Sequence, residues 1–156
     1  MYPCFAKMEN RSILGMGIIY CEKDRTFTLQ TKNTTYQMQV DRYGFLLHLY
    51  YGKKAEGCMD YLLTHYDRGF SGNPYDAGED RTYSMDTLPQ EFPCYGNGDF
   101  RSTAFAVENA DGSMSCDLRY KSHKIFDGKY NLEGLPTVLP KYGVAHQGAE
   151  LVLDTL

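Results

Sequence analysis

The chain has 156 residues, 42% of them hydrophobic, and a formal net charge of −4 from 16 Lys and Arg against 20 Asp and Glu. That length supports one domain with a sizeable core, and the acidic balance argues against a protein that holds nucleic acid by bulk positive potential. The longest apolar runs, 13–21 and 45–51, fall well short of the ~20 residues a membrane helix needs, so no membrane span is predicted.

At the N-terminus, Lys7 and Arg11 precede the apolar run 13–21, which invites a secretory-signal reading. Glu9 in the would-be basic region, and the fit of Met16 to Tyr20 with a first strand, favour a strand instead. Strand signals follow at 18–20, 26–30 and 35–40. In the last of these Tyr36, Met38 and Val40 alternate with Thr35, Gln37 and Gln39, the period-two pattern of a sheet wet on one side. Lys32-Asn33 suits the intervening turn, and the nearly continuous run 45–51 suits a strand buried on both faces. Four such strands predict an antiparallel meander.

Between 52 and 103 the periodicity collapses, apart from a short helical signal at 59–64. Loops of this length are functional or disordered. Tyr66, Phe70, Tyr75, Tyr83, Phe92, Tyr95 and Phe100 argue for order, because disordered chains are poor in aromatic residues. Strands are predicted again at 104–108 and 113–120, joined by the turn Asn109-Ala110-Asp111-Gly112, and then at 122–126 and 149–154.

Cys4, Cys21, Cys58, Cys94 and Cys116 form an odd, scattered set with no C-x-x-C, which suggests reduced thiols and a cytoplasmic protein. His48, His65, His123 and His146 lack zinc-site spacing, so no metal site is expected, and His48 reads as a hydrogen-bonded core residue. The glycine-rich turn 96–101 has no third Gly, preceding strand or following helix, so it reads as a tight turn with Asp99 and Arg101 paired. No nucleophile context is present, and no two carboxylates stand out as a catalytic pair. Two segments do carry sugar-like chemistry. Asp67-Arg68-Gly69-Phe70 and Asp80-Arg81-Thr82-Tyr83 each set a carboxylate and a guanidinium beside a ring, a combination that grips neighbouring hydroxyls and covers an apolar sugar face. The alternative is two structural Asp-Arg pairs that hold the loop in shape.

The stretches Gly17 to Tyr20 (GIIY), 26–40 (TFTLQTKNTTYQMQV), 48–53 (HLYYGK), 67–70 (DRGF) with Asn73-Pro74, 80–101 (DRTYSMDTLPQEFPCYGNGDFR), 117–124 (DLRYKSHK) and 132–136 (LEGLP) resemble the N-terminal domain of glycoside hydrolase family 36 α-galactosidases. The resemblance covers 16–156 and leaves 1–15 as an N-terminal extension. It implies an all-β fold, a β-supersandwich of antiparallel sheets with a long irregular loop and at most short helices. It also implies a domain incomplete at its C-terminus, standing before a (β/α)₈ barrel that lies outside this sequence. In the family two Asp residues of that barrel cleave terminal α-galactosides such as melibiose and raffinose oligosaccharides with retention and without a cofactor. Neither has a counterpart here, so the chain by itself is expected to be inactive, with no catalytic residue. Family tetramers bring loops of one N-terminal domain to a neighbour's active-site mouth. The matching positions are Asp67, with Phe70 beside it, and Arg81, which predicts α-galactoside sugars and further copies of the chain as partners, and neither nucleic acid nor membrane. The rival reading is a stand-alone, non-catalytic module for sugar binding or oligomerisation.

Overall fold

The computed structural model describes residues 17–69, 72–96, 98–128, 133–136 and 147–155. The predicted extension 1–15, Phe70, Asn97 and His146 lie outside the described residues. Strands β1 (Gly17–Cys21), β2 (Thr26–Gln30), β3 (Thr34–Val40) and β4 (Leu46–Lys53) form a four-stranded antiparallel sheet in chain order. Strands β5 (Leu118–Asp127) and β6 (Gln147–Thr155) form a two-stranded antiparallel sheet. The only helical turns among the described residues are 3₁₀ turns at Asp60–Leu62 and Tyr75–Ala77, so the helical signal at 59–64 survives as one short turn. The fold is all-β, as the resemblance implies.

The predicted meander is present, but its polar face is not wet. Tyr36, Met38 and Val40 face the second sheet, where Phe27, Met38, Val40 and Leu46 pack with Tyr120, Leu151 and Leu153. On the opposite face Thr35 and Gln37 are also buried, 1% and 2% exposed. Their cover is the chain that follows β4. The Gln37 side-chain amide donates to Thr28 Oγ1 at 2.9 Å and to the Gly57 carbonyl at 3.0 Å, and its Oε1 accepts from the Met59 amide at 2.7 Å. Thr35 Oγ1 bonds both the amide (3.0 Å) and the carbonyl (3.1 Å) of Ala55. Buried backbone groups need partners, and here polar side chains of a strand supply them to an irregular segment.

The predicted two-sided burial of β4 holds at its start. Phe45 and Leu47 join Ala77, Tyr83, Met85 and Leu88 in one core, while Leu46 belongs to the other. A register shift leaves Leu49 between the Gln37/Tyr50 and Met38/His48 pairs, and Tyr51 is 68% exposed. His48 is hydrogen-bonded as predicted, Nδ1 to Glu91 Oε1 at 3.0 Å, although its side chain is 36% exposed.

The predicted hairpin 104–120 is corrected. Its turn forms, with the Gly112 amide on the Asn109 carbonyl (2.9 Å), the Asn109 amide on the Ser113 carbonyl (2.8 Å) and Gly112 at φ +80°. No strand flanks it, because 104–108 is largely exposed and has no sheet face to cover. Residues 113–117 lie instead against 94–96, where the Cys116 amide donates to the Tyr95 carbonyl at 2.7 Å. Of the predicted strand 113–120 only 118–120 is strand, and it is continuous with the predicted 122–126 in β5, whose register shifts at Lys121.

The long loop supplies four of the six buried residues of one core, Ala77, Tyr83, Met85 and Leu88. Tyr83, Met85 and Leu88 are at most 1% exposed. Among its predicted packing aromatics, however, Tyr75 is 98% and Phe100 is 85% exposed, so the aromatic content does not serve burial alone.

Candidate functional site

Neither Asp-Arg motif pairs within itself. Asp67 meets Arg81, the Arg81 guanidinium standing 3.4 Å from Asp67 Oδ1. That pair bridges the two motifs. Arg68 turns to Asp86 at 2.8 Å, and Asp86 also accepts from Ser84 Oγ at 2.7 Å. Asp80 pairs with Arg42 and accepts from the Thr82 hydroxyl (2.6 Å) and amide (3.0 Å). Those Thr82 hydrogen bonds, with the Arg42 guanidinium added, hold the Asp80 carboxyl below its ordinary range. The reading of two local structural pairs is therefore replaced by one cross-link between motifs, with Arg68 and Asp80 tied elsewhere.

Local turns set the Asp67 carboxylate. Its Oδ1 accepts the Gly69 amide at 2.6 Å, and Gly69 takes φ +75°, a conformation that favours glycine. The side chains of Asp67 and Arg81 stay 48% and 61% exposed, so donors and acceptors of both still face solvent. Tyr83, the ring of the second motif, is not available to a ligand as a platform. It is 1% exposed and sits against Tyr43 (4.6 Å between centroids) and His65 (5.8 Å). Burial in the core displaces the sugar-facing role expected of it. Phe70 lies outside the described residues.

In the glycine-rich turn Asp99 and Arg101 pair, as its sequence suggests. Arg101 Nε and Nη2 donate to the two oxygens of Asp99 at 2.9 and 2.7 Å, and Nη2 also reaches the carbonyls of Met85 (3.0 Å) and Leu88 (2.7 Å). Burial by itself would raise the Asp99 carboxyl, but Arg101 and then Gln90 hold it below the ordinary range. Gly98 packs on Gly72, where a Cβ would lie 2.8 Å from the Gly72 backbone.

Sequence reasoning gave Arg119 no role of its own. Its guanidinium forms a two-point pair with Asp117 (2.9 and 2.7 Å), donates to the Tyr43 carbonyl (2.6 Å), approaches Asp76 (3.1 Å) and covers the Phe45 ring at 3.8 Å. It thereby fixes β5 to the loop and to the chain entering β4. The signal was available as an Asp-x-Arg spacing next to a strand, but the Tyr43 and Asp76 partners are remote in sequence.

A cleft of about 720 Å³ runs beside the second motif, lined by Arg25, Asp41, Arg42, His65, Asp80 and Thr82 among others. Asp41 gives one carboxylate oxygen to the amides of Tyr43 (2.9 Å) and Phe45 (2.8 Å). Burial raises the Asp41 carboxyl above its ordinary range, against the pull of those amides and of Arg119. Among the described residues no group of three or more His, Cys, Asp or Glu is placed to hold a metal ion. No helix there is long and apolar enough to cross a membrane. The arrangement offers exposed donors and acceptors for hydroxyl groups.

Comparison with known proteins places the chain. It is 59% identical over 123 residues to the bifunctional α-galactosidase/sucrose kinase AgaSK of Mediterraneibacter gnavus, covering 79% of this chain and 13% of that protein. The solved galactosidase domain of AgaSK superposes with a TM-score of 0.83 at 56% identity, over 88% of this chain and 19% of that one. The α-galactosidase AgaA variant A355E D548N of Geobacillus stearothermophilus, solved in complex with raffinose, gives a TM-score of 0.74 at 41% identity, over 83% of this chain and 18% of that one. The chain thus spans less than a fifth of the length of each of these relatives. The family model described as the glycosyl hydrolase family 36 N-terminal domain matches residues 44–154, and the chain belongs to that family.

Proposed function

We propose that this chain is the N-terminal domain of an α-galactosidase that hydrolyses terminal α-galactosides such as melibiose and raffinose oligosaccharides, with the chemistry carried by a catalytic barrel outside these residues. In this reading 16–156 is the domain and 1–15 an extension, the protein is cytoplasmic, and copies associate so that the loop of one lines the active-site mouth of another. Asp67 and Arg81 are the groups that meet the sugar, with Phe70 beside them. The observation that supports this is the pairing of Asp67 with Arg81 across the two motifs, half-exposed on a loop whose inner side is packed. A carboxylate and a guanidinium held side by side match adjacent sugar hydroxyls.

Exposed ion pairs contribute about 0–1 kcal/mol to stability, so Asp67→Ala and Arg81→Ala should leave the fold intact. In the longer protein that carries this chain, each should raise KM for raffinose roughly tenfold, since a hydrogen bond to a charged group is worth about 1.5–3 kcal/mol. An unchanged KM in both folded variants would remove the sugar-lining role. Purified alone, the 156-residue chain should release no nitrophenol from p-nitrophenyl α-galactoside, and turnover that persists through repurification would place chemistry in it.

The assembly of Asp67 with Arg81 within a single chain also suits a stand-alone sugar-binding module. Calorimetry with galactose and raffinose separates the two readings. Binding by the isolated chain that both substitutions abolish favours the module, and its absence at millimolar sugar favours the domain.

A further inference from the structure

Cys94 and Cys116 are 22 residues apart in sequence and adjacent in space. The Cys94 thiol donates to the Cys116 carbonyl at 2.8 Å, and the Cys116 amide donates to the Tyr95 carbonyl at 2.7 Å. The two segments continue in close approach at the next position, where a Cβ on Gly96 would fall 2.9 Å from Ser115 Cα. Neither cysteine is in a disulfide, and Cys94 is buried while Cys116 is half-buried. Burial is the main cause that pushes the Cys94 thiol up; the Leu118 amide opposes it, and the neighbouring Cys116 side chain adds to it. Cys116 is therefore the more accessible residue of the two.

We propose that Cys94 and Cys116 form a dithiol modification site, which a low-molecular-weight disulfide such as oxidised glutathione converts into an intramolecular bridge. The Cys116 thiolate attacks one sulfur of oxidised glutathione, forms a mixed disulfide and expels one glutathione thiolate. The Cys94 thiol then loses its proton, attacks the Cys116 sulfur and expels the second glutathione thiolate. The two protein protons end on the two glutathione thiols, so a dithiol is oxidised and one disulfide is reduced. The bridge closes residues 94–116 into a ring. Arg101, on that ring, already binds the carbonyls of Met85 and Leu88, so oxidation ties down the return arm of a segment whose outgoing arm is clamped to the core.

The test uses the full chain, incubated with oxidised glutathione, alkylated under acid quench and digested with trypsin without reduction. Peptides 82–101 and 102–119 should be recovered joined, two hydrogens lighter than their sum, and should separate on treatment with dithiothreitol. In Cys94→Ser the same treatment should stop at a glutathione adduct on Cys116, because the resolving thiol is gone. A glutathione adduct accumulating on Cys116 of the unsubstituted chain, with no joined peptides, would overturn the proposal. So would a bridge from either cysteine to Cys4, Cys21 or Cys58, or one formed only between molecules. The peptide map of the unsubstituted chain decides the matter even if the variant does not fold.

Discussion

The two faces of the four-stranded sheet are buried by opposite means. One is covered by strands, with Phe27, Met38, Val40 and Leu46 set against Tyr120, Leu151 and Leu153. The other is covered by irregular chain, which brings Tyr83, Met85 and Leu88 to Leu47 and Phe45 but meets Thr35 and Gln37 with backbone amides and carbonyls. Regular strands satisfy their own backbone and ask only apolar surface of a partner. An irregular segment carries unpaired backbone groups inward and needs polar side chains beneath it. The face that displays Asp67 and Arg81 is therefore built partly from hydrogen bonds, and the face against the second sheet mainly from apolar contact.

The sharpest way to break this contrast is to empty each core separately. Phe27→Ala on the strand-covered side should cost about 3–5 kcal/mol, and Leu47→Ala on the loop-covered side about 2–5 kcal/mol. Both residues are 0% exposed. Urea unfolding measures both. If Leu47→Ala costs under about 1 kcal/mol, the loop is a loose cover and not a core, because a packed leucine site cannot be emptied so cheaply.

A smaller effect is expected from Gln37→Ala. The substitution leaves the Met59 amide and the Gly57 carbonyl without their partner. An orphaned buried group costs about 1–3 kcal/mol. Amide exchange should accelerate at Met59 while the β1 to β3 amides keep their protection. Uniform acceleration throughout the sheet would show that the loop and the sheet open as one unit.

The smallest effects are electrostatic and of opposite sign. Asp99 is held below the ordinary aspartate value of ~3.9, so its stabilisation is present above that pH and is lost as pH falls through its lowered folded value. Asp41 is raised by burial, so what it withholds at neutral pH returns as pH falls through its raised folded value. Carboxyl carbon NMR titration should find the Asp41 midpoint above that of Asp99, and Asp99→Asn should flatten the acid limb of the stability curve. Equal midpoints would mean that the Arg101 clamp does not persist in solution.

Legibility followed the same division. The alternation of Tyr36, Met38 and Val40 placed β3 and its apolar face correctly, because a strand's period is local. The same alternation misread Thr35 and Gln37 as wet, since polarity in sequence does not say whether water or backbone will meet a side chain. The turn at Asn109 to Gly112 was legible from its glycine, whereas its flanking strands were not, because β-branched and aromatic residues pair only where a sheet edge is offered. Asp67 and Arg81 were selected as chemistry on a loop, but their mutual pairing was not visible, and Tyr83 looked like a ligand platform until its burial was known.

What the sequence determined by itself was the set of strands in the meander, the Asp99 and Arg101 clamp and the family, because each rests on spacing within one segment or on ordered motifs along the chain. The tertiary structure decided which carboxylate meets which guanidinium, which aromatic rings are core, and that Cys94 lies against Cys116. Those pairings join residues whose separation is set by the path of an aperiodic loop, and no local pattern encodes that path.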